Sequence, residues 1–158
     1  MSFGTGHHAT TYMMMQQMRN IPFLGKSVFD FGTGTGVLAI LAEKLGAASV
    51  FAIDNDDWSI ENARENCQFN NCALVELHKM NSASVKRKFD IILANINKNV
   101  ILENMNALAE GLTPGGILLL SGLLQADEAD VSAKAKEMGF KYVEKNNRNG
   151  WIILKINK

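Results

Sequence analysis

The sequence predicts a doubly wound, Rossmann-like α/β fold: a mostly parallel, seven-stranded sheet flanked by helices and closed by an antiparallel C-terminal hairpin. Three observations carry this expectation. Strand-like and helix-like segments alternate along all 158 residues, the signature of strands joined by helical crossovers. The strand-like segments 27–31, 89–94 and 116–120 are solidly hydrophobic, as strands buried on both faces must be. The last two strand-like runs, 140–144 and 151–156, have no helix between them and so should pair antiparallel.

Each element has its own signal. A Met-rich segment, 11–21, reads as a helix stopped by Pro22. Strand one is 27–31. The segment 36–45 places Leu38, Leu41, Ala42 and Leu45 on one helical face and ends at Gly46. Strand two is 50–53. A helix over 57–69 turns Ile60, Ala63 and Cys67 inward. A short alternating strand three covers 74–78, and the apolar strand four 89–94. The helix 99–112 faces Ile101, Met105, Leu108 and Leu112 to the core. Strand five follows at 116–120, then a helix at 126–138 stopped by Gly139. The closing strands lie either side of the polar run Asn146 to Gly150.

Composition bounds the class. At 47% hydrophobic and 20% charged, the chain reads as a single globular domain over residues 1–158. Sixteen basic residues balance sixteen acidic ones, which argues against broad electrostatic binding to nucleic acid or to membranes. No apolar run approaches the roughly 18 residues of a membrane span, and the first residues lack a signal-peptide pattern. Cys67 and Cys72 have no metal-ligand spacing and are expected as free thiols in a reducing cytoplasm. From Lys136 to the end, six basic residues face two acidic ones, a bias expected to be a solvated rim.

The chemistry concentrates where strand one ends. Val28-Phe29-Asp30-Phe31 runs into Gly32-Thr33-Gly34-Thr35-Gly36, and a helix begins. Glycine lets the chain turn sharply and lets a ligand touch bare backbone, and the helix start adds partly positive N–H groups. A dinucleotide-type Gly-x-Gly-x-x-Gly reading fails because Val37 takes the third position, although Gly34-x-Gly36-x-x-Ala39 fits a looser form. Asp30 tips the choice: an acid there would not help an anionic pyrophosphate. Its carboxylate is expected either to order the loop or, through water, to meet a cofactor's ammonium group. Strand two ends at Asp54, whose carboxylate can hold two ribose hydroxyls, while Asp56 and Asp57 can cap the next helix. The pair favours S-adenosyl-L-methionine, with Asp30, Gly32, Gly34, Gly36 and Asp54 as its binding residues.

Two further segments belong to the site. Phe3-Gly4-Thr5-Gly6-His7-His8-Ala9-Thr10-Thr11 opens the chain. Its glycines suggest a lid over the cofactor's methionine end, and Thr10 or Thr11 suits a helix N-cap. His7 and His8 could titrate near neutral pH but are expected in solvent. Past strand four, Asn95 offers an acceptor and a donor at the mouth of the site and can orient an amine nucleophile. Asn97 or Asn99 would cap the following helix, and Lys98 is expected to be solvated. The segment 81–88 should border an adenine through Asn81, Ser82 or backbone.

These motifs, with Leu112-Thr113-Pro114-Gly115-Gly116, resemble class I S-adenosylmethionine-dependent methyltransferases. More narrowly, Phe3 to Thr11, Leu93-Ala94-Asn95-Ile96 and Leu120-Ser121-Gly122-Leu123-Leu124 resemble the bacterial ribosomal protein methyltransferases of the PrmA type. The resemblance implies methylation of lysine and N-terminal amines of large-subunit ribosomal protein eleven, in the cytoplasm, with cofactor contacts at Thr11, Gly32, Asp54 and Asn95. Asn95 is then also the catalytic candidate. That family places a substrate-recognition domain before the catalytic one, and this chain is expected to lack it. His7 and Ala9 depart from many relatives, as do Asn97 and Lys98. Three alternatives stay open: a methyltransferase of nucleic acid or a small molecule, a nicotinamide oxidoreductase, and a cofactor-binding module without activity. Asn95-Ile96-Asn97-Lys98 lacks the proline and aromatic of adenine-modifying relatives, which weakens the first.

Overall fold

The computed structural model describes residues 8–158. In chain order the elements are α1 (His8–Met18), β1 (Ser27–Phe31), α2 (Val37–Lys44), β2 (Ser49–Asp54), α3 (Asp57–Phe69), β3 (Val75–Lys79), β4 (Phe89–Asn95), α4 (Lys98–Gly111), β5 (Leu112–Leu124), α5 (Glu128–Glu137), β6 (Lys141–Arg148) and β7 (Trp151–Asn157). One 3-10 turn, Gln125–Asp127, precedes α5. The strands form one sheet in the order β3-β2-β1-β4-β5-β7-β6. Strands β1 to β5 are parallel, and β7 runs antiparallel to both β5 and β6. This is the expected fold class. The strand order reverses beside β1, which puts the C-terminal ends of β1, β2 and β4 around one crevice.

Alternation along the central strands divides the core. Phe29 and Phe31 point with Phe51, Ile53 and Ile92 toward Ile101, Met105 and Leu108 of α4 and Val131 of α5. Val28 faces the other way with Val50 and Leu93, against Met14 and Met18 of α1 and Leu38 and Ala42 of α2. On the first face Phe29 stacks on Phe89 at 5.0 Å between ring centroids. Arg87 closes the stack from outside, its guanidinium 4.4 Å above the Phe51 ring, the geometry of a cation–π contact.

Three elements differ from the sequence reading. Helix α1 starts at His8 and contains both threonines, so neither is its N-cap. Thr10 is fully buried and the Thr11 hydroxyl turns to Asn95, so tertiary contacts outweigh their preference for a cap. Strand β5 runs over 13 residues, taking in Pro114. Beyond Phe89, its early part pairs with the chain end instead: Gly115 N–H donates to Lys158 O at 3.1 Å and Lys158 N–H to Gly116 O at 3.2 Å. The final turn contracts to Asn149-Gly150, with φ of 51° and 84°, the left-handed pair that a two-residue hairpin requires.

Candidate functional site

The loop after β1 is fastened before any ligand is considered. Gly32 and Thr33 N–H both donate to Ile53 O, at 3.0 and 2.8 Å, and Gly36 N–H donates to Thr33 O at 2.9 Å. Asp30 lies beneath, 1% exposed, and its carboxylate accepts the Thr33 hydroxyl at 2.7 Å. Burial pushes the Asp30 carboxyl up to about 7. That value includes the opposing pull of the Thr33 hydroxyl, a further rise from the neighbouring Asp54 charge, and a smaller lowering by the Ala39 N–H. Of the two roles expected for Asp30, loop ordering is the one with a visible partner.

The three loop glycines all have positive φ, yet each answers a different neighbour. A Cβ at Gly32 would run into Cγ2 of Ile96, and one at Gly36 would sit 3.1 Å from the Ala63 Cβ on α3, while one at Gly34 would meet nothing within 4 Å. Only Gly34 therefore leaves an open face for a ligand. Helix α2 starts at Val37 behind Gly36, which offers no side-chain cap; in its first turn the Ala39 N–H turns to the Asp30 carboxyl.

Asp54 ends β2 on the same crevice. One carboxylate oxygen accepts the Gly34 N–H at 2.8 Å, and the other accepts the Asp56 N–H at 3.1 Å. A carboxylate has about four acceptor positions, so the two used here leave room for a pair of hydroxyls. Asp56 caps α3, accepting the Ser59 N–H at 3.0 Å, and its carboxyl is held below the usual range by Ser59. That cap spares Asp54 for other partners.

Asp54 and Gly34 line a cleft of about 200 Å³, closed by Met80 and Asn81 after β3 and by Ile96, Asn97 and Val100 after β4. This is less than the roughly 300–1,000 Å³ of a whole-ligand pocket, and suits a nucleoside-sized part. Asn81 borders the cleft, whereas the Ser82 hydroxyl is turned to its own chain, accepting the Ser84 N–H at 3.1 Å.

Ile96 is clamped from two sides. Gly32 packs against its side chain, and a Cβ at Gly122 would strike its carbonyl oxygen. Ile96 N–H donates to Ser121 O at 3.2 Å, and the Ser121 hydroxyl donates to Ile152 O at 2.9 Å. The pairing of β5 with β7 shifts register between Leu120 and Leu123, so a bulge at Ser121-Gly122 forms the seat of the strand-four end. The motifs Ala94-Asn95-Ile96 and Leu120 to Leu124 are thus one structural unit. The sequence marked both but gave no sign that they touch.

Asn95 is 4% exposed. Its Nδ2 donates to Thr11 Oγ1 at 3.4 Å, joining residues 84 apart in sequence. Its Oδ1 is buried and has no hydrogen-bond partner among the described residues. Asn97 caps α4 by accepting the Val100 N–H at 3.0 Å. Lys98 is not simply solvated, as expected, but reaches Asp130 Oδ2 at 2.5 Å. That hydrogen bond, with the charges of Asp130 and Asp127, raises its ammonium pKa. The front-loop residues Phe3 to His7 and the His8 side chain lie outside the described residues, so the lid and the two histidines are not placed. Among the described residues no group of three or more His, Cys, Asp or Glu could hold a metal ion, and no helix is long and apolar enough to cross a membrane. Cys67 and Cys72 are both buried free thiols.

A seven-stranded sheet of this order, with an acid–glycine loop after β1 and an acid ending β2, defines a class I methyltransferase fold. The family model described as "Ribosomal protein L11 methyltransferase (PrmA)" matches residues 1–158, and the chain belongs to that family. It is 44% identical over 159 residues to a ribosomal protein L11 methyltransferase of Porphyromonas gingivalis, covering 99% of this chain and 54% of the relative. Among solved structures, the ribosomal protein L11 methylase of Lactobacillus delbrueckii subsp. bulgaricus superposes with a TM-score of 0.92 at 34% identity, over 97% of this chain and 80% of that one. The magnesium protoporphyrin IX methyltransferase of Synechocystis PCC 6803, solved with bound SAM, shares the fold at a TM-score of 0.78 and 18% identity, over 94% and 77% of the two chains. The chain spans about half the length of the first relatives it matches.

Proposed function

We propose that these 158 residues are one catalytic domain that uses S-adenosyl-L-methionine to methylate amino groups of ribosomal protein L11 in the cytoplasm. Family membership and the relatives' names support the reaction and the acceptor. The single observation that carries the reading is the buried Asn95 Oδ1, without a hydrogen-bond partner among the described residues, at the end of β4 next to Ile96, which lines the cleft of Asp54 and Gly34. A buried acceptor without a donor costs about 1–3 kcal/mol, and an N–H from an amine removes that cost.

The residues fit the cofactor. Asp54 has acceptor positions left for a ribose diol, Gly34 leaves backbone open to contact, and Met80, Ile96 and Val100 give apolar walls for a base. Thr11 and Asn95, joined to each other by a hydrogen bond, would face the cofactor's methionine end. When bound, S-adenosyl-L-methionine supplies a methyl group activated by a sulfonium.

The chain's own work is alignment. Asn95 Oδ1 accepts one N–H of the acceptor amine and so fixes the direction of its lone pair, while Thr11 holds the carboxamide by its Nδ2. A lysine amine has a pKa of about 10.4 in water and must be neutral to attack. Surroundings as dry as those of Asn95 favour the neutral form. Alignment of this kind accounts for roughly 7–11 kcal/mol in favourable systems. The reading assigns no side chain as a dedicated base.

The test is transfer of radiolabelled methyl groups to purified ribosomal protein L11. The wild-type chain should label it, and Asn95→Ala should lower turnover by roughly a hundredfold while cofactor affinity changes little. Turnover unchanged in Asn95→Ala would remove that residue from the site.

A further inference from the structure

We propose that the groove between α1 and β6 docks an acidic, extended stretch of the acceptor protein, next to the amine that is methylated. The inference rests on the reading of Asn95 as the acceptor site. The groove encloses about 460 Å³, and its lining includes Arg19 and Arg148 with the carboxamides of Gln16, Asn20, Asn146 and Asn147; no carboxylate lines it. The other two arginines are paired, Arg64 with Glu61 at 2.9 Å and Arg87 with Glu76 at 3.7 Å. Arg19 and Arg148 have no carboxylate partner among the described residues. Two guanidiniums in one groove, neither held by a described carboxylate, present N–H forks matched to carboxylates.

Several features select a peptide over RNA. Carboxamides match the donor and acceptor of a peptide unit, although Asn146 also donates to Glu144 at 3.3 Å. Strand β6 ends the sheet, so its outer edge pairs with no strand among the described residues and can accept an extended segment. Single-stranded RNA binds by stacking on aromatic faces. No described aromatic ring lines the groove, and the Tyr12 ring at its end is covered by the Arg148 guanidinium at 4.0 Å. The basic bias from Lys136 onward then steers an acidic segment rather than serving only as a rim.

The groove also leads to the right place. Tyr12 follows Thr11, the partner of Asn95, and its hydroxyl accepts Gln16 Nε2 at 3.0 Å. At about 1.5 Å of rise per residue, Tyr12 and Arg19 stand about 10 Å apart, the reach of about three extended residues. An acidic pair seated there lies within a few residues of an amine at Asn95.

Fluorescence anisotropy with the full chain tests this, using a labelled peptide of alternating glutamate and alanine as probe. The peptide should bind saturably, its glutamine counterpart should not, and oligouridylate of equal charge should bind more weakly. Arg19→Gln and Arg148→Gln should each weaken the peptide by about tenfold, the loss of one charge-assisted fork. Arg148→Lys, which keeps the charge without the fork, should fall between, and circular dichroism checks that each variant is folded. Equal binding of the glutamine peptide, tighter binding of oligouridylate, or unchanged affinity in folded variants would overturn the proposal. Calorimetry with S-adenosylhomocysteine separates the two readings. Cofactor-product binding without acidic-peptide binding overturns the groove alone, whereas its absence overturns the methyltransferase reading.

Discussion

Asp30→Asn isolates the most unusual electrostatic feature of the chain. The Asp30 carboxyl is buried and raised from 3.8 to about 7. In the unfolded chain it ionises at the lower value, so between the two values the native state holds a proton that the unfolded state has lost. The group's contribution to stability is therefore fully present below the unfolded value and disappears as pH rises through about 7. A shift from 3.8 to about 7 corresponds to about 4 kcal/mol, a large share of the 5–15 kcal/mol that holds a typical domain together. Asparagine keeps the shape and an oxygen for the Thr33 hydroxyl but cannot ionise. Asp56 and Asp90, whose carboxyls are held low, titrate in both proteins and cancel in the comparison. Urea unfolding of both proteins from about pH 4 to about pH 8 should show Asp30→Asn gaining on wild type by up to about 4 kcal/mol across that range. Parallel pH profiles would refute the assignment of a buried, largely protonated Asp30.

Three other substitutions separate contacts that look alike in sequence. Gly32→Ala forces a methyl into Ile96 and adds left-handed strain, so its urea midpoint should fall by the equivalent of about 2–4 kcal/mol. Gly34→Ala carries only the strain, about 1–2 kcal/mol, but should weaken cofactor binding in a calorimeter because its methyl enters the open face. Gly122→Ala presses on the Ile96 backbone and displaces Asn95, so methyl transfer should drop by roughly a hundredfold with a smaller loss of cofactor affinity. If Gly32→Ala and Gly34→Ala lose equal stability, the division of labour within the loop is wrong.

The sheet was legible because its signals are local. Apolar runs at β1 and β4, Asp30 near the end of β1 and Asp54 closing β2 sit in consecutive residues. Even the assignment of Asp56 as a cap follows from its place just before a helix. The unread parts are those fixed by contacts distant in sequence. Thr11 looks like an N-cap until Asn95, 84 residues away, takes its hydroxyl. Gly32 looks like a ligand-loop glycine and Gly122 lies past the strand read over 116–120, yet both are required by Ile96. Lys98 looks free until α5 brings Asp130 beside it. Arg19 and Arg148 lie in separate elements, and only the packing of α1 along β6 gathers them into one groove.

The central claim is that Asp54, already holding the Gly34 and Asp56 amides, grips the sugar of an adenosyl cofactor with its remaining acceptor positions. Isothermal titration of S-adenosyl-L-methionine into wild type and Asp54→Ala tests it most directly. Loss of two hydrogen bonds to a charged acceptor, about 3 kcal/mol or more, predicts affinity weaker by at least about a hundredfold. An Asp54→Ala chain that binds the cofactor as tightly as wild type would contradict the account.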